Sequence, residues 1–327
     1  MARRRLDQLD QLDWLDRGLT TMPAEPPVAS PATLAEAYAL LQAAPHRPMA
    51  GATDLLVQIT GEIGTLPERV LDLWRLDELR GIRTANGALE LGALTTYTEI
   101  RQSALCAAHA PGLVAAAATI GAEQIQQRGT LGGNVMNASP AGDTLPVLLA
   151  MDAELVIGGP VGERTVPAAA FWPAYRQTAV QPGELLVRVR LLLVEGRQVR
   201  FRKVGTRRAQ AISKVVLALA WTAEASGGAT TGATTGGTSA GVGNGATTGA
   251  WRDVRLALGS VAATPIRAAA TEAILEGAQP TAETADRAIA ALAAELQPID
   301  DVRSTAAYRR EVACRVLRRL LRDEGGW

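Results

Sequence analysis

The chain has 327 residues, 47 % hydrophobic, with 33 Lys plus Arg balanced by 33 Asp plus Glu. That length supports two or three domains with ample core, and the zero net charge leaves no basic footprint for nucleic acid or a membrane surface. Cys106 and Cys314 are the only cysteines and His46 and His109 the only histidines, which excludes an iron–sulfur cluster on this chain, assigns it no metal ligands, and favours a reducing, cytoplasmic compartment.

Arg3, Arg4 and Arg5 open the chain as a twin-arginine export signal would, but LDQLDQLDWLDRG follows where an apolar stretch is needed, so the export reading fails. Leu6, Leu9, Leu12 and Leu15, each followed by Asp, fit a short amphipathic helix or translated upstream sequence. Residues 1–29 are expected to be a flexible extension. A helical period over 33–44 ends near Pro45.

The segment PMAGATDL follows, built from Pro48, Met49, Ala50, Gly51, Ala52, Thr53, Asp54 and Leu55. Its small residues leave the backbone open, and its pattern reads as a loop between two strands. Residues 70–73 and, after the Asn86-Gly87 turn, 88–91 read as strands. Residues 94–103 and 112–120 read as helices. The uncharged stretch 103–122 has the length of a membrane span, yet it holds His109, Pro111 and Gly112. It is expected to form two short buried helices broken at Pro111-Gly112, so no membrane span is expected.

The run TLGGNVMNASPAGD occupies 130–143. Gly132 and Gly133 lack Cβ, so the backbone there can turn sharply and approach a ligand closely. Successive N–H groups in such a turn suit a phosphate. Thr130, Leu131, Asn134, Asn137 and Ser139 complete it, and Asp143 is an acceptor suited to a hydroxyl or a ring N–H. The same residue types also build ordinary surface turns. The pairing with PMAGATDL, far away in sequence, favours a ligand: two such loops can grip the two phosphates of one dinucleotide.

Residues 144–150 read as a short helix. Strands are expected over 153–157, 187–193, 201–204, 213–221 and 251–260, and helices over 268–275, 282–296 and 305–322. Strands and helices segregate in the last part, which fits an α+β class. The Gly/Thr/Ala stretch 226–250 contains GVGNGA, close to a dinucleotide fingerprint. No βαβ unit surrounds it, so a flexible insertion is the better reading. Lys occurs only at 203 and 214; every other basic residue is Arg. Lys is a compact charge on a flexible stem, so a site that needs a small cationic side chain in tight space would keep Lys203, although two positions are few.

Five landmarks in order now point to a family. They are AGATDL at 50–55, T-x-GGN with A-x-P-x-x-D at 130–143, QPGELLVRV at 181–189, FRKVGTRRAQAISKV at 201–215, and the closing PIDDVRSTAAYRREVACRVLRRLL. From about 30 to 321 the chain resembles the FAD-binding subunit of the molybdenum hydroxylases, the group of xanthine dehydrogenase and carbon monoxide dehydrogenase. It departs from the pattern at Ala52, where a second Gly is common, and at Gln126, where an Arg is usual. With Ala there, the first loop is expected to keep φ negative or to shift.

The resemblance implies a flavin-binding fold of the vanillyl-alcohol-oxidase (PCMH) type. Pieces at 30–74 and 75–197 would clamp FAD, and an α+β piece at 198–327 would close over the ring. It implies apolar surface from Ile120, Leu185 and Leu186 near the isoalloxazine, an acceptor at Asp143, and flavin tuning by Lys203. It also implies partners: a [2Fe–2S] small subunit, a large subunit with the molybdenum cofactor, a dimer of such heterotrimers, and NAD or another acceptor of electrons. Two other classes are a self-contained flavin oxidase or reductase of the same fold and a flavin-free assembly module. No His or Cys suited to the first is evident, and the GG loop with Asp143 argues against the second.

Overall fold

The computed structural model describes residues 26–61, 65–207, 210–224 and 249–327. The expectations for 1–21 and for nearly all of the 226–250 insertion lie outside the described residues. Strand β1 (Val28–Ala29) pairs in parallel with β3 (Val70–Asp72), so the first sheet begins inside the stretch read as an extension. Helix α1 (Leu34–Ala43) starts at Thr33, whose hydroxyl accepts from the Glu36 N–H. Strand β2 (Arg47–Met49) flanks β3 on its other side and completes a three-stranded sheet. Leu71, Leu73, Leu76 and Leu79 form its small core with Leu185 and Val187.

The expected strand after AGATDL is instead helix α2 (Leu55–Thr60). Its residues LLVQIT are short and apolar, and a run of that length carries no period that separates helix from strand. A second sheet has the order β4-β5-β8-β6-β7 and is antiparallel throughout. Its strands are β4 (Ile82–Ala85), β5 (Ala88–Gly92), β6 (Glu154–Gly159), β7 (Gly162–Pro167) and β8 (Leu185–Leu192). Glu90 is buried in β5 and is met by Arg83 at 2.7 Å and Arg190 at 3.2 Å.

Seven short helices lie between β5 and β8: α3 (Tyr97–Gln102), α4 (Ala104–His109), α5 (Pro111–Ala117), α6 (Glu123–Arg128), α7 (Leu131–Asn137), α8 (Leu145–Ala150) and α9 (Ala168–Phe171). The uncharged stretch makes α4 and α5, separated at Ala110 with Pro111 at the first helical position. Among the described residues no helix is long and apolar enough to cross a membrane.

The last sheet has the order β12-β11-β10-β9, also antiparallel, from β9 (Gln198–Val204), β10 (Val215–Ala223), β11 (Trp251–Gly259) and β12 (Ile266–Arg267). Strand β10 is apolar on consecutive residues because both of its faces are covered. Val216, Ala218 and Ala220 join the core shared with α8. Val215, Leu217, Leu219 and Trp221 face the opposite core, closed by α10 (Ala269–Leu275), α11 (Ala282–Glu295) and α12 (Ala306–Gly325). Trp221 stacks on Trp251 at 4.4 Å.

The closing signature is a structural clasp. Arg309 is buried on α12 and reaches the Ser260 carbonyl at 2.9 Å and Asp301 at 2.6 Å. Asp301 in turn accepts from the N–H groups of Arg303 and Ser304.

Candidate functional site

The chain leaves β2 at Met49, whose carbonyl accepts from the Leu73 N–H at 2.9 Å. It then turns through Ala50–Asp54 into α2. Gly51 sits against the turn after α6: a Cβ built there would lie 1.7 Å from the Arg128 carbonyl oxygen. Arg128 is itself held over the Trp74 ring at 3.7 Å, with Arg80 over the same ring at 4.5 Å. Close backbone approach is thus what requires glycine at 51. Ala52 corrects the sequence expectation of a negative φ. It adopts the left-handed region with φ of 63°, the conformation a second glycine would take without strain. The turn is therefore kept, and Ala52 bears the strain.

The consequence is a row of donors. Among the described residues the backbone N–H groups of Gly51, Ala52, Thr53, Asp54 and Leu55 make no hydrogen bond, whereas that of Leu56 returns to Ala52 at 2.9 Å. Such a row at the entry of a helix is suited to an anion.

The second segment is different. The residues TLGGN were read as an open turn, and the structure makes them the entry of α7. Thr130 is the N-cap, and its hydroxyl accepts from the Gly133 N–H at 3.0 Å. The Leu131 N–H donates to Thr95 at 2.9 Å, that of Gly132 to Ala93 at 2.9 Å, and that of Asn134 to Thr130 at 3.1 Å. All four N–H groups after Thr130 are spent inside the protein. Gly132 is small because Ala93 crosses it: a Cβ would lie 2.5 Å from the Ala93 carbonyl. At Gly133 a Cβ would meet only the Thr130 hydroxyl, at 2.9 Å, and otherwise project into open space.

The two segments face each other. Asn137 donates from Nδ2 to Asp54 at 3.2 Å and accepts from Arg176 at 3.0 Å. Thr144 donates to Asn134 Oδ1 at 2.6 Å. Between them opens a cleft of about 420 Å³, lined by Pro48 through Leu55, Thr130, Gly132, Gly133, Asn134, and on a third side Gln181 through Leu186. That volume falls among those of small-molecule sites, which run to roughly 300–1,000 Å³. The third side is braced by Glu184, which accepts from Arg164 at 2.6 Å and from the Gln181 N–H at 2.7 Å. The Arg164 hydrogen bond holds the Glu184 carboxyl below its ordinary value.

Four expected site residues lie elsewhere. Leu131 points into the main core, and Ile120 packs against that core. Asp143 and Lys203 are buried and paired at 2.6 Å. Lys203 also donates to the Thr119 carbonyl at 3.1 Å, and Ser213 donates to the second Asp143 oxygen. None of these four lines the cleft. Burial pushes the Asp143 carboxyl up, against the pull of Lys203 and of hydrogen bonds from Lys203, Ser213 and Thr119. Gln126 is buried, accepts from Arg101 and donates to the Ile120 carbonyl at 3.0 Å, so a neutral side chain fills that position. Sequence reasoning missed Tyr97, which lines the cleft from the first turn of α3. The available signal was the capping box of Thr96 and Glu99, which fixes where that helix begins.

The cleft matches FAD in its chemistry: unspent donors for a diphosphate on one side, and apolar Leu185 and Leu186 on the other. This is the site of a dinucleotide-binding protein. Residues 23–191 match the family described as FAD binding domain in molybdopterin dehydrogenase, and 200–323 match the CO dehydrogenase flavoprotein C-terminal domain. The chain belongs to this family of FAD-binding flavoprotein subunits of oxidoreductases.

The glyceraldehyde dehydrogenase medium chain of Sulfolobus acidocaldarius is 28 % identical over 81 % of this chain and 86 % of its own. The xanthine dehydrogenase FAD-binding subunit of Escherichia coli O157:H7 is 36 % identical over 48 % of this chain and 54 % of its own. Among solved structures, the reconstituted CO dehydrogenase from Oligotropha carboxidovorans superposes with a TM-score of 0.80 at 27 % identity, covering 91 % of this chain and 97 % of that one. The α+β flavin-binding fold expected from the landmarks is the fold found.

Proposed function

We propose that this chain is the electron-transfer subunit of a molybdenum hydroxylase, binding FAD in the cleft with its diphosphate on the N–H groups of Gly51–Leu55. The observation that carries this reading is that row of unspent donors facing the Thr130–Asn134 segment. FAD, when bound, supplies chemistry that accepts electrons singly and delivers them as a pair.

The chain's own residues bind, orient and seal. Gly51–Leu55 donate to the anion, and Asn137 holds Asp54 so that the donor row keeps its shape. Gln181–Leu186 close the third side, with Glu184 anchored by Arg164. The buried Lys203–Asp143 pair ties β9 to the segment after α7, and the Lys203 charge is balanced there by a carboxylate.

In this reading the electrons arrive from the [2Fe–2S] clusters of a small subunit. They leave to NAD or another acceptor, and substrate is oxidised at molybdenum on a large subunit. Two such heterotrimers associate in the cytoplasm, and the substrate is a xanthine-like purine. Residues 30–74 and 75–197 form the clamp and 198–327 the lid. Support comes from relatives named for dehydrogenases of this group.

Reconstitution tests it. The chain loaded with FAD, and free of molybdenum and iron by metal analysis, should pass electrons from reduced nicotinamide to a dye but oxidise no heterocycle. Oxidation should begin only after a molybdenum subunit and a cluster subunit are added. Turnover of an organic substrate by the chain alone would transfer the reading to a self-contained flavin oxidase.

A further inference from the structure

The most unusual polar group in the cleft is one that the landmarks do not include. Tyr97 is 3 % exposed, yet its hydroxyl makes no hydrogen bond among the described residues. Its hydroxyl oxygen is not sealed off, and the residue lines the cleft. A buried hydroxyl without a partner is destabilising, so such a group calls for a partner that arrives later.

Its position is fixed by packing. The Tyr97 N–H donates to the Gly129 carbonyl at 3.2 Å, and the ring lies so close beneath Gly129 that a Cβ there would be 2.8 Å from ring atom Cε2. The first turn of α3 is locked by the reciprocal bonds of Thr96 and Glu99. The ring therefore cannot swing to find another partner.

We propose that the Tyr97 hydroxyl is a hydrogen-bond donor to an oxygen of the bound dinucleotide, on the diphosphate or on the ribityl chain beside it. The group is fit to donate: burial, with the carboxylates of Asp54 and Asp143, pushes its pKa above the ordinary tyrosine value, so it keeps its proton at neutral pH. The role complements the second loop, whose own N–H groups are spent. A side-chain donor standing beside that loop supplies what its backbone does not. This rests on the reading of the cleft as the FAD site.

The test is an FAD titration of the full chain, stripped of flavin, followed by flavin fluorescence, for the unsubstituted protein and for Tyr97→Phe. The substitution keeps the ring and removes only the hydroxyl. We expect FAD affinity to fall about tenfold, the loss of one hydrogen bond to an anionic or polyol acceptor. The melting temperature of the flavin-free protein should stay unchanged or rise, because no protein partner is lost. Phosphorus NMR of bound FAD assigns the acceptor: a shifted diphosphate resonance in Tyr97→Phe places it on the diphosphate, and an unshifted one on the ribityl chain. Equal FAD affinity in the two proteins would overturn the proposal, and so would a lower melting temperature of flavin-free Tyr97→Phe, which would mark a structural hydroxyl. Failure of the unsubstituted chain to bind FAD would instead overturn the reading of the cleft.

Discussion

The segments Ala50–Leu55 and Thr130–Asn134 look alike as sequence and differ as structure. Both are short, rich in small residues and end in polar groups. In the first the backbone turns through a left-handed Ala52 and leaves five N–H groups unspent. In the second the same kind of residues start a helix, and every N–H after the cap is used. The glycines differ accordingly. Gly51 and Gly132 are small because a neighbouring carbonyl crosses them, and Gly133 because the cleft does. Small residues in two facing loops thus do not imply two identical cradles. One loop offers donors, and the other offers a smooth wall with side-chain polar groups.

The strongest way to break this arrangement is from beneath the second loop. Lys203→Met would leave the Asp143 carboxylate buried with only the hydroxyls of Ser213 and Thr119 beside it. Loss of one partner of a buried ion pair costs about 3–5 kcal/mol. Chemical unfolding should show a loss of that size, with most of it recovered in Lys203→Met combined with Asp143→Asn.

Next is the seat of the first loop. Gly51→Ala places a Cβ against the Arg128 carbonyl, and neither partner is a flexible side chain. We expect about 1–3 kcal/mol of destabilisation together with loss of retained flavin, seen as a lower melting temperature and a colourless protein.

The glycine pair sharpens the comparison within the second loop. Gly132→Ala should lower the melting temperature of the flavin-free protein, because the new methyl meets the Ala93 backbone. Gly133→Ala should leave that temperature nearly unchanged and weaken FAD binding, because its methyl occupies cleft space. Equal behaviour of the two variants in both assays would remove the distinction drawn here.

The smallest effect is a gain. Ala52→Gly should stabilise the protein by about 1 kcal/mol, since glycine adopts the left-handed region without the penalty that Cβ imposes. Thermal unfolding should show a rise of a few degrees or less, with the flavin site intact.

How much of this was legible beforehand follows the same physics. Strands β3, β5, β6, β8, β9, β10 and β11, the late helices and the flavin-binding class were readable because they rest on apolar runs, helical period and ordered landmarks, whereas β1 lay in the stretch read as an extension. Strand β10 and helix α12 are examples. The helix after AGATDL was not readable, because LLVQIT has no period to betray its state. The helix starting at Leu131 was hidden by its glycines, which weaken helical propensity and are tolerated because Thr130 caps the turn and Ala93 and Thr95 take its first N–H groups. The left-handed Ala52 ran against its residue type, since a Cβ disfavours that φ. Lys203 was singled out by its rarity, but its charge is spent on Asp143, a partner sixty residues away that no local pattern announces.

Amide hydrogen exchange with mass spectrometry, on the full chain with and without FAD, tests the central claim most directly. The peptide covering 48–56 should exchange fast without flavin and become strongly protected when FAD binds, because its unspent N–H groups acquire acceptors. The peptide covering 130–137 should be protected from the start and change little. Protection gained over 130–137 with 48–56 left unchanged would contradict the account, for it would make the second loop the donor of hydrogen bonds to the diphosphate.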